Sequence, residues 1–138
     1  PEAIWEIEGS YNTSSTEIFE AGVARSDWFR SLRHLFDQYD FLVLPSAQVF
    51  PFAKETHWPT KINNREMDTY HRWMEVVIGA SLAGLPTVNV PVGFDSEGRP
   101  MGMQVMGPFG EDQRVLEFAK AYESATEYLD VRPKMVES

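Results

Sequence analysis

Ser81 lies in Gly79-Ala80-Ser81-Leu82-Ala83-Gly84, the stretch of this sequence nearest to a nucleophile motif. A nucleophile elbow holds its serine as Gly-x-Ser-x-Gly on a strained strand-to-helix turn, because small neighbours tolerate that bend. Here the second glycine comes one place late and the surrounding residues carry helical spacing. Ser81 therefore reads as a small residue that permits close helix packing. The histidines are His34, His57 and His71. No two of them stand at i, i+4 with a Glu between, as a zinc peptidase needs, and no carboxylates cluster at ligand spacing. His34, between Arg33 and Asp37, reads as a solvated or capping residue, and His71, beside Tyr70 and Trp73, as a structural one. The chain has no cysteine, which excludes disulfides, thiolate metal sites and a cysteine nucleophile. Gly98, Gly102, Gly107 and Gly110 lack the spacing and the strand-to-helix order of a phosphate-binding loop. From these residues alone the expectation is a soluble α/β domain without a visible active site. Trp58, Tyr70 and Trp73 have the makings of an aromatic pocket wall. Core packing is the competing role for the same rings.

The elements that would position these residues follow from periodicity. Residues 1–13 have no clear period and are expected to form an extended lead-in. Ser14-Ser15-Thr16-Glu17 has the pattern of a capping box. Ala21, Ala24, Trp28, Leu32, Leu35 and Tyr39 then recur at steps of three and four, which predicts a helix over about 15–38. Phe41-Leu42-Val43-Leu44-Pro45 is a short apolar run stopped by proline, the pattern of a buried strand. Residues 45–67 hold several aromatics, three of the nine prolines and no period. A connection this long inside a domain is usually functional or covers something. From Asp68, as N-cap, the residues Tyr70, Trp73, Met74, Val77 and Ile78 mark a second helix, whose apolar stripe widens as if buried all round. Gly84 and Pro86 stop it. Thr87 to Val92 alternates as a strand, Asp95-Ser96-Glu97-Gly98 is turn chemistry, and Met101 to Met106 returns as the partner strand. Pro91, Gly102 and Gly107 imply an edge or a bulge in this hairpin. Val115, Phe118, Ala119, Tyr122, Ala125 and Leu129 define an amphipathic helix over about 111–129, and 130–138 is expected to be a flexible tail. The fold class expected is α/β: a partial mixed β-sheet of about three strands, including a hairpin, covered by three helices. So narrow a sheet implies that it continues in residues beyond this chain.

Composition narrows the partners. The 138 residues fit one domain, and 43% hydrophobic with 24% charged residues is ordinary for a soluble globular protein. Acidic residues outnumber basic ones 21 to 12, for a net charge of −9. With its Arg and Lys scattered, the chain is poorly built to neutralise phosphates, and no nucleic-acid partner is expected. The apolar stretch from Val76 to Val92 is interrupted by Ser81, Gly84, Pro86 and Asn89, so no membrane span is expected. Pro1-Glu2-Ala3 does not open a signal peptide. The missing initiator Met implies processing or derivation from something longer. The lack of cysteine is in keeping with a cytoplasmic location, although secreted proteins can lack it too.

Three stretches in order carry a resemblance. Tyr39-Asp40-Phe41-Leu42-Val43-Leu44-Pro45 is similar to the strand that opens the C-terminal part of amidase-signature enzymes. Leu82-Ala83-Gly84-Leu85-Pro86-Thr87-Val88-Asn89-Val90-Pro91-Val92-Gly93-Phe94 resembles the helix stop and strand that follow in that family. Gly98-Arg99-Pro100-Met101-Gly102-Met103-Gln104-Val105-Met106-Gly107 resembles its return strand, and a helix ending in Ala121-Tyr122-Glu123 comes next, as it does there. The resemblance covers roughly residues 39–124. His57-Trp58-Pro59 and Tyr70-His71-Arg72-Trp73-Met74 look like the simple amidase branch rather than the transfer-RNA amidotransferase branch.

The resemblance implies the α/β/α fold of that family and hydrolysis of carboxylic amides without metal or organic cofactor. It further implies a nucleophilic Ser activated through a second Ser by a Lys, all upstream in a Gly-Gly-Ser-Ser-Gly-Gly-like context. This chain has no such segment; Ser14-Ser15 has no glycine nearby. In the family, this part completes the sheet and supplies part of the substrate pocket, which makes Trp58, Tyr70, Trp73 and Met74 the candidate substrate-binding residues. The reading is the C-terminal part of an amidase acting on a small carboxylic amide, inactive alone and expected to form a homo-oligomer through exposed apolar surface and an unpaired strand edge. A standalone, non-catalytic binding or oligomerisation domain is the alternative.

Overall fold

Ser14 starts the long helix in the way its sequence predicts. Its hydroxyl accepts from the Glu17 amide at 3.2 Å, and its own amide donates to Glu17 Oε2 at 2.8 Å. Both halves of a capping box are therefore made. The structure, a computed structural model, describes residues 2–131, so the tail expected over 130–138 lies, past Val131, outside the described residues. Helix α2 runs Ser15–Phe36. Its predicted stripe is buried only at Leu32; Ala21 and Ala24 are exposed, because no described element packs across the first half of the helix.

Strand β1 (Leu42–Pro45) follows, then a two-stranded hairpin of β2 (Lys61–Ile62) and β3 (Arg65–Glu66), helix α3 (Ile78–Ala83), strands β4 (Thr87–Phe94) and β5 (Pro100–Met106), and helix α4 (Asp112–Ala125). The main sheet has the order β1-β5-β4. Its register sets Val43 opposite Val105, and Val88 opposite Val105 on the other side. Val105, Met106 and Val115 are buried where the sheet meets α4, and Leu32 is the buried residue of α2. Each outer strand contains one proline whose carbonyl is held by a side chain. Gln104 Nε2 donates to Pro45 O at 2.9 Å, and the Tyr122 hydroxyl donates to Pro91 O at 2.8 Å.

The hairpin forms as its sequence predicts. Gly98 takes a φ of 79° in its turn. The Asp95 carboxylate accepts from the Glu97 and Arg99 amides, each at 2.9 Å, so it organises the turn from inside. The register slips between Pro91 and Gly93. This is the bulge that Pro91 implies, because proline has no N–H for a regular ladder.

The structure corrects six expectations. Every strand pair among the described residues is antiparallel, so the sheet is not mixed here. Residues 1–13 are not an extended lead-in: Glu2–Ser10 form α1, which brings the α-helices among the described residues to four. That helix buries no residue and so leaves no apolar signature to read. Two side-chain contacts from one face hold it instead, Glu2 to His57 at 2.7 Å and Glu6 to His71. Residues 45–67 are not structureless, since Asn63 and Asn64 adopt φ of 46° and 65° and turn β2 into β3. Such positive values suit the two-residue turns of tight hairpins, and Asn tolerates them. No helix begins at Asp68; a 3-10 helix occupies Arg72–Val77 before α3. The Asp68 carboxylate accepts from the Arg72 guanidinium at 3.0 Å rather than capping backbone amides. Nor is α3 buried all round, because Ala80 and Ala83 are buried while Ser81 and Leu82 face outward. Gly84 closes it in the left-handed region, φ 64°, as expected. The last helix is shorter than 111–129: it stops at Ala125, where Thr126 turns extended, and a 3-10 turn follows at Tyr128–Asp130.

Candidate functional site

Two glutamines fix the 3-10 helix that carries Trp73. Gln48, just past β1, accepts from the Val76 amide at 3.0 Å and donates to the Arg72 carbonyl at 3.3 Å. Gln104, buried in β5, donates from one Nε2 to both Pro45 O and Val76 O at 2.9 Å. A buried amide satisfied in this way ties three segments together and keeps a single geometry. The 3-10 helix is further braced by a row of charges: Arg72 binds Asp68 and Glu75, and Glu75 also accepts from Arg65 at 3.0 Å. The Arg72 guanidinium hydrogen-bonded to Asp68 holds that carboxyl below its ordinary value.

Trp73 thereby stands against the segment that leaves β1. Its ring meets Phe52 edge to face at 5.7 Å, and Tyr70 in the same manner at 6.0 Å. Tyr70 in turn meets Trp58 at 6.4 Å. Three of the four residues singled out from the sequence, Trp58, Tyr70 and Trp73, therefore form one continuous aromatic row. Phe52 is a fourth member that the sequence reading did not name, although its position in the aromatic and proline-rich stretch is a legible signal. Offset and edge-to-face rings at these spacings attract one another beyond simple burial.

The row connects two cavities. The larger, about 560 Å³, is lined by Val49, Phe50, Phe52, Trp73, Pro91 and Met101, with Ser46 and Asn89 as its polar members. The smaller, about 260 Å³, takes Trp58 and Tyr70, together with Trp5 and Glu2 from α1. Met74 lines neither cavity. Gly102 lies in the wall of the larger one, where a Cβ would stand 2.7 Å from Ser46 Oγ and 3.1 Å from the Asn89 amide group. Only glycine leaves room for both side chains there.

No carboxylate, histidine, lysine or arginine lines the larger cavity. It can hold and orient an apolar group, with a hydroxyl and an amide for hydrogen bonding, but it cannot move protons. Trp73 adds one feature: its indole Nε1 is shut off from solvent and has no hydrogen-bond acceptor among the described residues. Ser81 is on the exposed side of α3, on a helix rather than at a strand-to-helix turn. Among the described residues no cluster of His, Asp and Glu could hold a metal ion, and no helix is long and apolar enough to cross a membrane.

Comparison with known proteins adds the family. The sequence pattern named Amidase matches residues 3–116. A glutamyl-tRNA(Gln) amidotransferase subunit from Synechococcus sp. (strain RCC307) is 36% identical over 99 residues, 72% of this chain and 19% of that protein. A bacterial aryl acylamidase of the amidase-signature family superposes with a TM-score of 0.72 at 28% identity, over 83% of this chain and 24% of that one. The corresponding glutamyl-tRNA(Gln) amidotransferase subunit from Thermotoga maritima gives 0.59 at 27% identity, over 82% and 23%. The chain thus spans about a fifth of the curated relative it matches. The pattern match over most of the chain and the shared fold lead to one conclusion: the chain belongs to the amidase family, the amidase-signature enzymes.

Proposed function

We propose that this chain is the C-terminal part of a cytoplasmic amide hydrolase of the simple amidase branch, and that it forms a wall of the substrate pocket rather than the catalytic centre. The observation that carries the reading is the larger cavity: an apolar hollow beside the end of β1, walled by Trp73 and Phe52 and free of titratable groups. Loops that follow buried strands in α/β folds are where ligands commonly bind. The nucleophile, its serine relay and the lysine are supplied by the rest of the enzyme. Supporting the simple branch, the aryl acylamidase superposes more closely than the amidotransferase does, with nearly the same identity. The absence of cysteine is compatible with a cytoplasmic setting.

A second reading has its own observation, because the similar curated sequences are amidotransferase subunits. The complete gene product separates the two. Free aryl or alkyl amides should be hydrolysed without any transfer RNA, whereas turnover that requires glutamyl-tRNA would establish the second reading. The 138-residue chain alone should give no turnover above the buffer rate. Turnover by the chain that Ser81→Ala abolishes would overturn the proposal outright.

A further inference from the structure

Helix α1 buries none of its residues, yet it is tied down at two points, Glu2 to His57 and Glu6 to His71. Glu2, Trp5 and Glu6 stand three and four residues apart, on one face of that helix. The two ties therefore fix the place of Trp5, which lines the smaller cavity of about 260 Å³. Trp58 and Tyr70 line the same cavity, and their rings stand at 87° with centroids 6.4 Å apart. The corner beside an edge-to-face contact is bounded by one face of each ring, and ring faces are the electron-rich side of an aromatic group. The carboxylates of Glu2 and Asp68 also line it, with His71, and no lysine or arginine does. Both carboxyls are held below their ordinary values, that of Glu2 by its hydrogen bond with His57 and that of Asp68 by the one from Arg72. Neither His57 nor Arg72 lines the cavity. The larger cavity is lined by no ionisable group, and the two share no lining residue.

We propose that the smaller cavity is a binding site for a small organic ammonium ion, held by Trp5, Trp58 and Tyr70 through cation–π contact and by Glu2 and Asp68 through charge. A neutral guest would gain from the rings but would take water from two carboxylates without return. A bare metal ion would leave the rings unused, and among the described residues it would find no group of three His, Asp or Glu ligands. An alkylammonium uses both features, since its alkyl groups pack on the rings while its charge is drawn to their faces and to the carboxylates. The net charge of −9 adds a longer-range attraction of the same sign. The part played by α1 follows: it brings one ring and one carboxylate to a site whose other walls come from residues 58–71. The proposal goes beyond the amidase reading and needs no catalysis.

The test compares choline with 3,3-dimethylbutan-1-ol, which has the same shape with a neutral carbon in place of the charged nitrogen. Each is titrated by calorimetry into the complete gene product at physiological salt. Choline should bind about ten-fold or more tightly than the alcohol. Trp58→Leu keeps an apolar wall and removes the π face, so that preference should shrink by roughly five-fold. Asp68→Asn keeps the size and removes the charge, at the cost of an exposed pair with Arg72 that a fold tolerates losing. It should weaken choline by about three-fold and leave the alcohol unchanged. Equal binding of the two probes to the unaltered protein overturns the proposal. A preference that both variants keep in full also overturns it, because it would then be a general attraction of cations to an acidic protein. Should Trp58→Leu not fold, Trp5→Leu on the exposed α1 replaces it with the same expectation and the same power to refute. Amide hydrolysis by the complete gene product bears on the amidase reading alone, so the two conclusions fail separately.

Discussion

The indole of Trp28 donates to the carbonyl of Gly79 at 2.8 Å, and the same ring lies where a side chain on Gly79 would begin. A Cβ there would stand 3.1 Å from the Trp28 ring. This pair joins α2 to α3 and so sets the long helix against the segment that carries Trp73. Gly22 in α2 has nothing within 4 Å of its own Cβ position. The two glycines therefore respond differently to the same substitution. Gly22→Ala should stabilise the chain by roughly 0.5–1 kcal/mol, the ordinary gain of alanine over glycine in a helix. Gly79→Ala should lose that gain by displacing the Trp28 ring. Urea unfolding of both variants checks the contrast, and equal stabilisation would show that the Trp28 contact is loose.

Gly107 marks the tightest approach in the fold. A Cβ would lie 2.5 Å from Val115 Cγ2, on a valine that is itself buried. Gly107→Ala must push α4 off the end of β5, and overpacking of this kind destabilises by about 1–3 kcal/mol. Val115→Ala alone should also destabilise, through the cavity it leaves. Combined, the two should be less harmful than their sum, because the added methyl enters the space vacated. Additive losses in a double-mutant cycle would rule this packing out.

The β4–β5 turn should weaken in acid. Partial burial by itself would raise the Asp95 carboxyl, but hydrogen bonds from the Arg99 amide and guanidinium and the Glu97 amide outweigh it, and the net shift is downward. A lowered folded value means the charged form stabilises the fold. That contribution is whole above the unfolded value of about 4 and is lost as pH falls through the lower folded value. Glu17, held down by the Ser14 amide and hydroxyl, and Asp68, held down by Arg72, add in the same direction. Urea midpoints should therefore fall as pH drops below about 4. Asp95→Asn should show a shallower fall. An unchanged slope would leave Asp95 without a part in it.

Association should run through helices. Trp5, Ile18 and Phe19 are more than half exposed on α1 and α2, large apolar side chains of the kind that association covers. Light scattering of the chain should report a dimer or larger species. Phe19→Asp should shift it toward monomer, and Val43→Lys, on outer strand β1, should not. The reverse result would move the contact to the sheet.

How much of this was legible depended on whether a residue's partner is close in sequence. The capping box at Ser14 and Glu17, the Gly84 stop and the turn at Asp95–Gly98 are written in a few neighbouring residues, and each formed as its sequence predicts. The two strands of the hairpin were equally plain, because alternation and a turn lie side by side. Helix α1 was invisible because its ties, Glu2 to His57 and Glu6 to His71, cross more than fifty residues and leave no apolar period. The misreading at Asp68 has a related origin, since Arg72 competes for the carboxylate that a cap would use. The aromatic row was legible in three of its members, Trp58, Tyr70 and Trp73, but not in its geometry. The clamps that position it, Gln48 and Gln104, are polar residues whose importance only long-range pairing reveals.

The two prolines of the outer strands bear on how the chain fares while it is being made. A newly synthesised sheet with two open sides is a template on which identical chains can stack, and the hazard is greatest before neighbouring structure arrives to cover it. Pro45 and Pro91 each lack an amide hydrogen to offer such a chain, and each already has its oxygen engaged, by Gln104 and by Tyr122. One interruption on either side breaks the run of pairings that a fibril needs. Gln104 and Tyr122 thus act as gatekeepers as well as props, and replacing them would expose the nascent chain to misassembly even where the finished fold tolerates the change.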